Sequence, residues 1–136
     1  MPAKSHQDLE AWQKAIELVE LIYRASQTWP KTELYGLTSQ IRRAAVSVPS
    51  NVSEGQGRAQ SGSGREFLRH LNIAYGSLME VETQIVIAHR LGYVNASGFE
   101  SATEKCGTVG RLLNGLIRWQ EKQLAQQERN PKHTDD

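Results

Sequence analysis

A proline stands inside the most regular apolar row of this chain. Leu37, Ile41, Ala45, Val48 and Val52 recur at three- and four-residue steps, and Pro49 falls between the last two. At about 100° per residue the five lie within roughly 80° of one another on a helical wheel. A helix that ended at Pro49 would have no reason to keep Val52 in phase. The row therefore predicts one helix, kinked at Pro49 and running to about Gly55 or Gly57. A proline in a helix interior removes a backbone hydrogen bond and costs about 3 kcal/mol, so packing on both sides has to offset it.

The same spacing recurs three more times. Ser5 and Asp8 form an S-x-x-D start signal, after which Leu9, Trp12, Ile16, Val19 and Tyr23 mark a first helix ending near Trp29-Pro30. Residues 30–36 read as a connector. The glycine- and serine-rich break "EGQGRAQSGSGRE" follows the proline helix, and Ser63 with Glu66 caps the next one. That helix carries Phe67, Leu71, Ala74, Leu78, Val81, Ile85 and Ala88, and Gly92 closes it. Ser97 with Glu100 opens a last helix with Phe99, Ala102, Cys106, Val109, Leu113 and Leu116 on one face. The polar stretch after Leu124 is expected to fray. No segment alternates with period two for long enough to make a sheet. Four amphipathic helices with short connectors predict an all-α, antiparallel up-down-up-down four-helix bundle: one domain over residues 1–128, with residues 129–136 as a polar tail.

Length and composition narrow the function. A chain of 136 residues can bury a core by itself. No run of 18 apolar residues offers a membrane span, and charges interrupt the start too often for a signal peptide, so a cytoplasmic protein is expected. Cys106 is the lone cysteine, which excludes an internal disulfide and a four-cysteine metal site. Net charge is only +1, yet residues 37–75 hold Arg42, Arg43, Arg58, Arg65 and Arg69 against Glu54 and Glu66. The positive surplus sits in the middle of the chain and is all arginine.

A search for catalytic sets finds little. Glu66 and His70 stand four apart, whereas di-iron bundles use Glu-x-x-His twice, so no metal site and no cofactor are expected, and both residues read as solvated. Cys106 lies on an apolar stripe and reads as a small buried hydrophobe rather than a nucleophile. The glycine-rich break lacks the lysine and the preceding strand of a phosphate loop.

The proline helix carries a sharper pattern. Gln40, Ser47, Asn51, Glu54 and Arg58 line one flank, about 90–130° from the centre of the apolar row. Arg42, Val46, Pro49 and Ser53 line the other, with Val46 and Pro49 apolar where a four-helix core does not need them. Either these flanks are solvated, or the helix packs on its own bundle and on another subunit as well. Glu82 falls at the edge of the next helix's apolar row, where a carboxylate needs a partner; an arginine from the proline helix would make a structural ion pair.

The stretches "LTSQIRRAAVSVPSNVSEGQGR" and "FLRHLNIAYGSLMEVETQIVIAHRLGYV" closely resemble the 23S rRNA intervening-sequence protein family over about residues 6–120. The resemblance rests on a Q-x-R-R-A-x-x-S-[IV]-P-x-N-[IV]-x-E-G block and on Gly76, Ser77, Leu78 and Glu80. In the first block it picks out Gln40, Arg42, Arg43, Ala44, Ser47, Pro49, Asn51, Glu54 and Gly55. It implies a four-helix bundle that assembles as a ring-like homopentamer, with no enzymatic activity. A related group, the accessory proteins of diversity-generating retroelements, is strongly basic and binds nucleic acid and a reverse transcriptase. This chain, at +1, departs from that group in charge.

These readings lead to two expectations. The first is a non-enzymatic homo-oligomeric scaffold or adaptor, with Gln40, Arg42, Arg43, Val46, Ser47, Pro49, Asn51 and Glu54 serving structure or subunit contact. The second is weak binding of RNA, or of a nucleic-acid-associated protein, through Arg58, Arg65 and Arg69 beside the glycine-rich break. Arg42 and Arg43 are expected to pair with carboxylates such as Glu80 or Glu82 instead.

Overall fold

The structure is a computed structural model and describes residues 9–129. Within them lie four helices and no strand: α1 (Glu10–Ser26), α2 (Leu37–Gln60), α3 (Gly64–Arg90) and α4 (Ala96–Arg129), with a single 3-10 turn at Lys31–Glu33 in the first connector. α2 packs against α1 and α3, and α4 packs against α3 and α1. The contacts fix direction. Ser47 meets Ser77 while Asn51, further along α2, meets His70, earlier in α3. His89 stacks on Phe99, and Gln120 reaches back to Gly64. Both pairs of helices therefore run antiparallel. Arg42 at the start of α2 touches Ser26 at the end of α1, and Lys105 of α4 meets Glu17 of α1 at 2.6 Å.

The buried apolar residues form one cluster. α3, flanked by two neighbours, buries all seven members of its expected row. α2 passes through Pro49 without a break, as its in-phase row predicts. It also runs on through Gly55 and Gly57 to Gln60, because Gly55 is pressed against α3 and the helical geometry brings that contact about. The break between α2 and α3 is thus only a few residues long. Ser63 caps α3 by accepting from the Glu66 N–H at 3.3 Å. Gly92 ends α3 at φ 81°, with the Gly92 and Tyr93 N–H groups donating to His89 and Ala88 carbonyls.

Four details differ from the sequence reading. In α1 the fully buried row is Ala11, Ala15, Leu18 and Ile22, one residue out of phase; Trp12, Ile16 and Val19 are half-buried and Tyr23 is exposed. Two parallel rows, one residue apart, are both compatible with helical spacing, and the smaller residues took the core. α1 also ends at Ser26, whose hydroxyl donates to the Ile22 carbonyl at 2.7 Å and draws the chain into the turn before Trp29. At α4 the cap is Asn95, whose Oδ1 accepts from the Gly98 N–H at 2.8 Å, so the helix starts before Ser97. Its far end stays helical to Arg129, where Arg65 of α3 pairs with Glu128 at 3.3 Å. The Ser5–Asp8 start signal and the tail from residue 130 lie outside the described residues.

Candidate functional site: the polar seam between α2 and α3

α2 and α3 approach most closely at Gly55. A Cβ there would stand 2.9 Å from His70 Cβ and 3.0 Å from Phe67 Cδ1, so no larger residue fits without parting the helices. That approach brings their polar flanks together in a row. The Asn51 amide Nδ2 donates to the Ser47 carbonyl at 2.9 Å and to the Ser47 hydroxyl at 3.0 Å. The Ser47 hydroxyl is 2.8 Å from the Ser77 hydroxyl. With its amide nitrogen committed to Ser47, Asn51 turns Oδ1 to His70 Nδ1, 2.9 Å away. An amide oxygen only accepts, so Nδ1 carries the ring proton and Nε2 is the acceptor of the neutral ring. Nε2 takes the Arg69 Nη2 donor at 3.3 Å.

Charged groups close the row at the end of the bundle nearest the α2–α3 turn. Arg69 donates to Glu66 at 3.0 Å; this bond holds the Glu66 carboxyl below its usual range and raises the guanidinium. Glu54 Oε2 lies 3.7 Å from Arg58 Nη2 and 3.7 Å from His70 Nε2. Arg58, Arg65 and Arg69 are each at least half exposed, and each touches one carboxylate: Glu54, Glu128 and Glu66. Exposed pairs of this kind are worth about 0–1 kcal/mol, so they leave the arginines able to exchange partners.

The remaining expected residues scatter. Gln40 is exposed at the start of α2 and takes no part in the row. Val46 is exposed, as an apolar position beyond the needs of the core should be, but Pro49 is buried in the chain's own core. Arg42 turns to α1, not to Glu80 or Glu82: its Nε donates to Ser26 at 2.8 Å and its guanidinium lies 4.7 Å from the Tyr23 ring centre. Arg43 is exposed. Among the described residues no cation stands within 4.0 Å of Glu82; the half-buried carboxylate sits near Cys106 instead. Cys106 is fully buried, and burial first, Glu82 second, push its thiol up to about 12. It is an inert core residue, as its stripe indicated. Among the described residues no group of three His, Cys, Asp or Glu side chains could hold a metal ion, and no helix is long and apolar enough to cross a membrane.

His70 is the member the sequence reading missed; it is buried, not solvated. A signal for it exists. His70, Ser77 and Gln84 are spaced by seven on α3, as Gln40, Ser47 and Glu54 are on α2, and antiparallel helices bring two such rows into register. All three α3 members are buried polar residues, an arrangement that a solvated flank would not require.

A small all-α protein whose second and third helices are joined by a buried polar row is the class that this fold and seam define. The sequence profile of the 23S rRNA-intervening sequence proteins matches residues 7–115, and the chain belongs to that family. Its fold is similar to that of a crystallised protein of unknown function from the S23 ribosomal protein family of Bacteroides thetaiotaomicron. The two share 23% identity over 79% of this chain and 97% of the other, with a TM-score of 0.68. No curated protein matches the chain.

Proposed function

We propose that this chain is a non-enzymatic, cytoplasmic, homo-oligomeric scaffold that acts by holding partners. α1 carries the reading. It gives Ala11, Ala15, Leu18 and Ile22 to the core and leaves Trp12, Ile16 and Val19 half-buried and Tyr23 exposed, while Val46 of α2 is exposed as well. A helix that buries one apolar row in its own core and leaves a second apolar row half in water is suited to a second interface. The resemblance to ring-forming proteins supports another copy of the chain as that partner and a pentamer as the assembly. An Ile16→Glu/Val46→Glu double variant should keep its helical circular dichroism and lose the assembly. A variant that stays assembled would refute this placement of the contact.

A second reading has its own support. Arg58, Arg65 and Arg69 gather with exposed side chains at one end of the bundle, and a ring would multiply them, so weak phosphate contacts could combine by avidity. The ligand in this reading is RNA. Replacing all three by alanine should cut RNA affinity and lower the log–log salt slope by about 0.7–0.9 for each phosphate no longer neutralised. An unchanged slope would contradict the assignment.

A further inference from the structure

Among the described residues His70 is the buried histidine. From α2 it faces Asn51 and Glu54, and through Glu54 it faces Arg58. From its own helix it faces Arg69, which also holds Glu66. Gly55 and Phe67 wall it in, since α2 comes within van der Waals distance of the His70 Cβ. A change in the charge of the ring therefore acts directly on these neighbours.

We propose that His70 is an acid-operated latch on the arginine cluster: a second ring proton transfers Glu54 from Arg58 to His70, opens Arg58 to a polyanion and leaves Arg69 to Glu66 alone. The proposal rests on the second functional reading for its ligand, but the latch itself rests on geometry. In the neutral ring Nδ1–H donates to Asn51, whose amide is fixed by Ser47 and cannot turn over. Nε2 holds Arg69 through its lone pair. A proton on Nε2 removes that lone pair and sets two cations 3.3 Å apart with donors facing each other. Arg69 leaves, and Nε2–H needs an acceptor. Glu54 Oε2 is at hand, 3.7 Å from Nε2 and 3.7 Å from Arg58, poised between the two. A shift of less than about 1 Å makes a charge-assisted hydrogen bond to the ring and ends the Arg58 contact. One bound proton thus adds its own charge and loosens two guanidinium groups on one surface.

The test uses the full chain at pH 7.5 and 5.5. Long-range proton–nitrogen spectra read the His70 ring and the Arg58 and Arg69 side chains, and anisotropy reads a labelled single-stranded RNA. At pH 7.5 the ring should carry its proton on Nδ1, and the two arginine signals should shift together with the ring as it titrates. Wild-type affinity for RNA should rise on acidification by about fivefold more than that of His70→Gln, on the scale of one further phosphate neutralised. Glu54→Gln, a change at an exposed side chain, should bind more tightly than wild type at pH 7.5 and gain less than wild type on acidification. Arginine signals that stay still while the ring titrates would overturn the latch, as would equal acid gains in all three proteins. Arginine signals that move with the ring, with no RNA bound at either pH, would uphold the charge transfer and overturn only the RNA reading.

Discussion

Gly55 is defined by the side chain it lacks. Its neighbours leave 2.9 Å for a Cβ, while Gly57, two residues on and exposed, has no atom within 4 Å of the same position. The two glycines of one motif should therefore respond oppositely to alanine. Gly55→Ala should destabilise the fold by about 1–3 kcal/mol through overpacking. Gly57→Ala should stabilise it by about 0.5–1 kcal/mol through helix propensity. Urea unfolding of both variants gives the comparison, and equal effects would mean that the α2–α3 approach is looser than described. Cys106 gives a second residue-scale expectation. Its folded thiol is raised from 9.0 to about 12, so the stability it contributes is full below pH 9 and is lost as pH rises toward 12. An aromatic disulfide reagent at pH 8 should leave it unreacted until denaturant is added. Prompt labelling of the native protein would contradict its burial. The burial of Cys106 was legible from its row of apolar neighbours. That of His70 was not, because apolar spacing says nothing about which polar flank meets another.

The helices differ in how plainly their sequences announce them. α3 lies between two neighbours and shows one wide apolar face, so its seven-member row could be read without ambiguity. α1 carries two rows one residue apart, Ala11-Ala15-Leu18-Ile22 and Trp12-Ile16-Val19-Tyr23, and size pointed to the wrong one for the core. The end of α4 looked too polar to persist, yet Arg65–Glu128 and the bond from Gln120 to Gly64 hold it beside α3. Such contacts between distant segments leave no periodic trace. In α2 the in-phase row did foretell a helix through Pro49. The proline leaves the Ala45 carbonyl without its helical donor, and its buried ring recovers only part of that loss. Pro49→Ala should raise stability by about 1–2 kcal/mol, the balance of roughly 3 kcal/mol in propensity against the burial that the ring gives up. A lower melting temperature for this variant would mean that ring packing outweighs the backbone term.

At the scale of the whole molecule, the four helices enclose a core that needs no second chain to close it, yet apolar surface remains. Tyr23 of α1 and Val46 of α2 are exposed, and Trp12, Ile16 and Val19 of α1 are half-buried. At the opposite end of α2 the arginines and their exchangeable carboxylates form a separate polar surface. The account assigns assembly to the first surface and ligand contact to the second, so the two should be separable by mutation. The fold was largely readable because it follows from local rows. What meets the half-exposed row of α1 was not, because that row has the same sequence whether it faces water or another copy. The most direct test of the central claim is light scattering on a sizing column at tens of micromolar protein. The account predicts a species of several chains, near five times the 15.2 kDa protomer. A single peak at 15.2 kDa would contradict it.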